Sequence, residues 1–219
     1  MEILKVVNLI GPPGSGKSTQ ADLIVSRQEF GYIATGDIIR ECTPGYETEI
    51  NEAKRYRAEY SNLLLPYLAI VSHAGLIPDA VMVPILLNEF HYQAAKGSRG
   101  IVLAGSIKNA GQAENFHRSL LNVSHSQEIQ QVIIRLDATD DTLLKRLKLR
   151  AERNSRPDDG VIAEKLTNAR SGDAELDNYY LALGLLTNII TEQKDIETIY
   201  QIILGVINEK YSAPLSIRS

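Results

Sequence analysis

Five short apolar runs, 4–10, 31–34, 101–104, 132–136 and 185–190, recur along the chain, each followed by sequence compatible with a helix. Apolar runs of this length without polar alternation suit strands buried on both faces, and their spacing suits helical crossovers. The pattern therefore predicts parallel βαβ units and a doubly wound α/β core. Helices are expected at 18–27, 48–73, 79–95, 110–120, 139–150, 162–170 and 195–208. Proline lacks the N–H that a helix interior needs, so the second of these should kink or break near Pro66. Asp195 is placed to cap the last helix. No internal repeat, low-complexity run or long Gly/Ser/Pro linker divides the 219 residues, which argues against a second independent domain. The tail from Ser212 onwards is expected to be loose.

Between the first strand and the first helix stands Gly11-Pro12-Pro13-Gly14-Ser15-Gly16-Lys17-Ser18, a complete G-x-x-x-x-G-K-[ST] pattern. Gly11, Gly14 and Gly16 free the backbone to turn successive N–H groups inward, and the helix that begins near Lys17 adds its positive end. That is a cradle for a nucleoside triphosphate carrying Mg²⁺. The triphosphate-binding residues read from it are Gly11, Pro13, Gly14, Ser15, Gly16, Lys17, Ser18 and Thr19. Lys17 would reach the β- and γ-phosphates, and the Ser18 hydroxyl would ligate the metal.

Charge and composition narrow the partners. A net charge of −4, with 44% hydrophobic and 23% charged residues, describes ordinary globular material and disfavours a nucleic-acid or anionic-membrane partner. Cys42 is the single cysteine, which excludes an intramolecular disulfide. No export signal and no run of about twenty apolar residues is seen, so a cytoplasmic location is expected. His73, His91, His117 and His125 lack metal-ligand spacing, and Ser72 and Ser106 have no base partner in sequence, so neither set is assigned chemistry.

Further segments resemble the adenylate kinase and nucleoside monophosphate kinase family, in order and over nearly the whole chain. Tyr32-Ile33-Ala34-Thr35-Gly36-Asp37-Ile38-Ile39-Arg40 is similar to the family's monophosphate-binding segment, and Gly75-Leu76-Ile77-Pro78-Asp79 to the turn that closes its monophosphate-binding insertion. Gly105-Ser106-Ile107-Lys108 stands where the family carries Gly-Phe-Pro-Arg, with Gln112 in the place of its downstream glutamine. Lys145 to Arg150 and Arg156-Pro157-Asp158-Asp159 resemble the segments that flank its lid.

The resemblance implies a P-loop NTPase fold, three-layer α/β/α with a five-stranded parallel sheet. It divides one kinase-like domain into a core at 1–40, 76–149 and 159–211, an enlarged helical acceptor-binding insertion at about 41–75, and a short lid at about 150–158. It implies Lys17, Lys108, Arg150 and Arg156 as catalytic residues. Thr35, Gly36, Arg40, Ile77, Lys108 and Gln112 would serve the acceptor, and Arg146 the ATP adenine. The activity implied is transfer of the γ-phosphate of MgATP to a nucleoside monophosphate, AMP by default, with Mg²⁺ and ATP required and a monomer expected. The alternatives are a kinase for another small acceptor, or an ATP-binding regulatory protein with weakened transfer.

The chain also departs from the family pattern. Ala104 stands where the family has an aspartate that orients metal-bound water, and Asp37, or failing it Asp137, is the candidate substitute via water. Lys108 replaces a bidentate arginine fork with a single flexible charge. Lys165 or Arg170 would take the place of another lid-flanking arginine. The stretch between Arg40 and Gly75 is longer than the family's and reads as a helical arm packed on the core; Lys54, Arg55 and Arg57 would add charge if they face the cleft. Tyr179 and Tyr180 are expected to pack.

Overall fold

Each of the five apolar runs becomes a strand. The computed structural model describes residues 4–46, 52–73, 75–123, 128–153 and 159–212. Strands β1 (Leu4–Ile10), β2 (Gly31–Ile33), β3 (Gly100–Ala104), β4 (Ile129–Asp137) and β5 (Leu186–Ile190) form one sheet, in the order β2-β3-β1-β4-β5. Every neighbouring pair is parallel, and Val7 of β1 sits in register with Val102 of β3 and Val132 of β4.

Alternate residues of these strands serve opposite cores, as the pleat requires. Val7, Leu9, Val102, Ile134 and Leu136 face helices α1 (Lys17–Gln28) and, last in the chain, α9 (Ile196–Ser212). Val6, Ile10, Ile101, Leu103 and Ile133 face α5 (Asp79–Ala95), α6 (Ala110–Val123) and α8 (Ile162–Ala182). Together these make a three-layer α/β/α architecture of P-loop type. No described helix is long and apolar enough to cross a membrane.

The arm follows β2. Helix α2 (Thr35–Glu41) leads to α3 (Ala53–Leu64), a 3-10 turn at Leu65–Tyr67 and α4 (Leu68–Ser72), so the break falls at Pro66 as expected. The expected start at Thr48 lies outside the described residues. Ile38 and Cys42 of α2, Tyr56, Tyr60 and Leu64 of α3, and Ile77, Met82 and Ile85 form a separate apolar core that seats the arm on α5. Helix α7 (Asp140–Arg153) completes the order, between β4 and α8.

Two elements differ from the sequence pattern. Helix α2 is seven residues long, too short to show a helical period. Helix α8 runs to Ala182 instead of ending near Arg170. Ser171-Gly172-Asp173 reads as a stop, yet buried Leu176 and Tyr180, with Asp173 and Asp177 paired to Arg135, hold the helix together. Helix α9 continues to Ser212, and Asp195 accepts the Thr198 N–H at 2.7 Å as its cap. The tail beyond Ser212 lies outside the described residues.

Because the strands are parallel, their carboxyl ends share one edge. That edge, where β1 is flanked by β3 and β4, is where a sheet of this topology presents a ligand crevice.

Candidate functional site

The loop after β1 has the backbone that its glycines were expected to supply. Gly11, Gly14 and Gly16 take φ values of +123°, +82° and +100°. At Gly11 the requirement is also steric, since a Cβ would lie 2.1 Å from the Leu136 carbonyl oxygen. The Lys17 ammonium folds back over the loop, donating to the carbonyls of Gly11 (2.8 Å) and Pro12 (2.7 Å) and to Ser15 Oγ (3.3 Å). Ser18 and Thr19 lie exposed at the head of α1.

The end of β3 completes the cradle. Gly105 has φ +59°, and a Cβ there would lie 2.8 Å from Lys17 Cε and 3.5 Å from Lys108 Nζ, so the two lysines meet over a residue that must stay bare. Burial, then the neighbouring charge of Lys108, brings the Lys17 pKa down from its ordinary value to about 7, against the opposing pull of Asp173. Lys108 is held through its backbone. Its N–H donates to Gln112 Oε1 (2.8 Å), and Gln112 Nε2 donates to Asp79 Oδ1 (2.8 Å). Ser106 Oγ accepts the Thr35 N–H (3.2 Å) and donates to the Ile33 carbonyl (3.1 Å), tying β2 to β3. Gln112, Thr35 and Ile77 are buried, so all three lie within the protein wall.

Across the cleft, Asp37 is bracketed. Tyr32 Oη donates to Asp37 Oδ2 at 3.0 Å, while Arg40 pairs with Asp37 Oδ1. Gly36 lies beneath the Arg40 guanidinium, where a Cβ would come within 3.3 Å of Nη1. Asp22, one turn beyond Ser18 on α1, makes no hydrogen bond or ion pair among the described residues. Burial and the charge of Asp37 push its carboxyl up. Ala104, at the end of β3, contributes only a methyl group, which packs into the core.

On the other side of the loop, Arg146 donates from Nη1 to Thr191 Oγ1 and from Nη2 to the Thr191 carbonyl, both at 2.9 Å. With Leu149, Arg150 and Arg153 it lines a groove along α7. Arg156, like the centre of the expected lid, lies outside the described residues.

Behind Lys17 is an ion network that sequence reasoning missed. Arg135, 5% exposed in β4, pairs with Asp173 and donates to Asp177 Oδ1 at 2.9 Å. Arg170 donates to Asp137 Oδ2 (2.8 Å), to Asp140 Oδ1 (2.8 Å) and to the Ala138 carbonyl (2.9 Å). Burial raises the Asp137 carboxyl, but Arg170 and the Ala138 N–H outweigh it, and the group ends below its ordinary value. Asp137 and Arg170 thus serve each other. One signal was available: a lone arginine inside Val132-Ile133-Ile134-Arg135-Leu136 must find partners when the strand is buried. The arm's charges are committed too. Arg55 grips fully buried Glu89 of α5, Arg57 pairs with Glu41 at 2.6 Å within the arm, and Lys54 is exposed, so Arg55 and Arg57 are both engaged.

The chain is also similar in sequence to a family model and to several known proteins. Residues 10–163 match the family model described as AAA domain. The chain is 30% identical over 188 residues to an adenylate kinase of Leptospira biflexa serovar Patoc, covering 85% of this chain and 91% of that one. It is 30% identical over 200 residues to an adenylate kinase of Prochlorococcus marinus, covering 90% and 96%. With adenylate kinase isoenzyme 1 of Caenorhabditis elegans it shares 26% identity over 206 residues, covering 93% and 88%.

Proposed function

The chain belongs to the adenylate kinase-like family of P-loop nucleotide kinases, and from that premise we propose that it transfers the γ-phosphate of MgATP to a nucleoside monophosphate, AMP by default. The observation that carries this reading is the meeting of Lys17 and Lys108 over Gly105, at the mouth of the phosphate loop. Phosphoryl transfer asks a protein for positioning and for positive charge around the equatorial oxygens. Two ammonium groups from two strand ends supply both.

In this reading Lys17 leaves its loop carbonyls for the β- and γ-phosphates, while the loop N–H groups cradle the rest. Lys108 bridges donor and acceptor phosphates. Arg40, already poised on Asp37, turns to the acceptor phosphate, and Thr35, Gly36, Ile77 and Gln112 shape the acceptor wall from within. Arg146, anchored on Thr191, lies against the adenine, and Arg150 and Arg156 close over the phosphates to exclude water. The exposed Ser18 hydroxyl and the nearby carboxylate of Asp37 fit a hard cation that arrives on the triphosphate and keeps most of its waters. When bound, magnesium would neutralise charge on the β- and γ-phosphate oxygens. The whole works as one domain, with an insertion at about 41–75 for the acceptor and a lid at about 150–158.

A second reading has its own observation: Ala104 offers no carboxylate at the β3 end, which favours another acceptor or an ATP-binding protein with weakened transfer. Steady-state transfer from MgATP across a panel of nucleoside monophosphates separates them. AMP is expected to be preferred by about tenfold or more in kcat/KM, and the Lys17→Ala protein to be folded and inactive. ATP binding without transfer to any monophosphate would overturn the first reading in favour of the second.

A further inference from the structure

Gln112, which the family resemblance assigns to the acceptor, uses its side chain inside the protein. The residue is 3% exposed and both ends of its amide are engaged: Oε1 accepts the Lys108 N–H at 2.8 Å, and Nε2 donates to Asp79 Oδ1 at 2.8 Å. Asn109 closes the same corner. Its Oδ1 accepts the Gln112 N–H at 2.7 Å, capping the head of α6, and its Nδ2 donates to Asp79 Oδ1 at 3.2 Å. Asp79 opens α5, where the chain returns from the arm to the core. Gly111 lets α6 seat this closely, since a Cβ there would lie 3.1 Å from Asp79 Oδ2 and 3.3 Å from Asn109 Oδ1. Behind Lys108, Gly172 of α8 faces its carbonyl oxygen, which a Cβ would approach to 3.7 Å.

The Lys108 peptide is therefore held from two sides, while its ammonium reaches over Gly105 toward Lys17. Lysine carries its charge on a flexible stem, so where that charge can go depends on where the backbone is fixed. A displacement of about 1 Å in a group that contacts a transferring phosphoryl can cost about a hundredfold in rate. We propose that Asp79, acting through Gln112, is a positioning residue for Lys108, tying the returning end of the acceptor arm to the cation at the end of β3, and that Gln112 serves this link instead of reading the acceptor base. This rests on the reading of Lys108 as the bridge between donor and acceptor phosphates. A fully engaged buried network of this kind acts as a unit, so breaking one bond loosens the rest.

The test is steady-state transfer from MgATP to AMP and, at higher concentration, to CMP, with the KM for ATP measured alongside. Gln112→Glu keeps an acceptor for the Lys108 N–H but sets a carboxylate against Asp79. Adding Asp79→Asn restores a donor and acceptor pair in the reverse sense and gives up only the longer bond from Asn109. Gln112→Glu is expected to lower kcat about tenfold for both acceptors, with the preference between them and the KM for ATP unchanged, and the double variant to recover most of the loss. Asp79→Ala, which buries no new charge, should show the same pattern and stands in for Gln112→Glu if that protein does not fold. A loss confined to AMP and expressed in its KM would show that Gln112 reads the base and overturn the proposal. So would an equal loss in the double variant, or an undiminished kcat in both single variants; with the wild-type protein transferring normally, each of these leaves the kinase reading standing. Transfer by the wild-type protein to no monophosphate would overturn both together.

Discussion

Lys17 carries the sharpest consequence at the scale of single residues. Burial and Lys108 bring its pKa down from 10.5 to about 7, so the folded chain binds fewer protons than the unfolded chain between those values. Stability contributed by this group therefore rises with pH across that window and does not change below it. Phosphates reverse the balance by supplying the counter-charge. Binding of MgATP should take up close to one proton at about pH 8, falling toward none below about pH 6, as read by calorimetry in buffers of different ionisation enthalpy. No uptake at pH 8 would contradict the placement of Lys17 against the phosphates. The loop itself was legible in the sequence, because eight residues at fixed spacing state both their geometry and their ligand. The hydrogen bond of Tyr32 to Asp37 was not, since it needs β2 and α2 brought together. Nor was the occupied state of Arg40, whose partner Asp37 lies one turn away and looks from sequence like a metal group.

Helices and strands were the more legible scale, for a plain physical reason. Strands buried in a sheet covered on both faces are mostly apolar, and the five runs stood out for it, even though β4 carries Arg135 and the edge strand β5 is partly exposed. Helix α8 escaped because local propensity at Ser171-Gly172 was overruled by tertiary ties, among them Arg135 to Asp173 and Asp177. The arm's anchorage escaped because Arg55 and Glu89 are 34 residues apart. There Glu89, fully buried on α5, receives Arg55 from α3 (Nη1 to Oε1, 2.8 Å) and the Tyr60 hydroxyl (2.5 Å), and Arg55 stacks on Tyr92 at 3.9 Å. This ion pair fastens the acceptor arm to the helix beneath it. Removing one partner of a buried pair strands the other, so Glu89→Ala should cost about 3–5 kcal/mol in denaturant unfolding. Replacing both together, Arg55→Met with Glu89→Met, should cost much less than the sum of the single changes. A single-variant cost below about 1 kcal/mol would show that the arm is held by its apolar core alone.

For the molecule as a whole, sheet order, crevice and chemistry fall at one edge. The order β2-β3-β1-β4-β5 sets the phosphate loop between Gly105 with Lys108 on one side and the Arg135, Asp137 and Arg170 network on the other. Lys17 and Lys108 thus meet on one side of the loop, and carboxylates hold Arg135 and Arg170 on the other. This division is what a phosphoryl-transfer site needs, with positive charge presented forward and neutralised behind. The central claim is that the γ-phosphoryl group passes from the nucleotide on this loop directly to a monophosphate, without water. Its most direct test follows ATP labelled in the γ-phosphate, incubated with magnesium, unlabelled AMP and the protein, and locates the label among the products. The label is predicted in the β-phosphate of ADP formed from AMP, and that transfer should vanish in Lys17→Ala. Label released as inorganic phosphate, or retained in ATP, would contradict the claim.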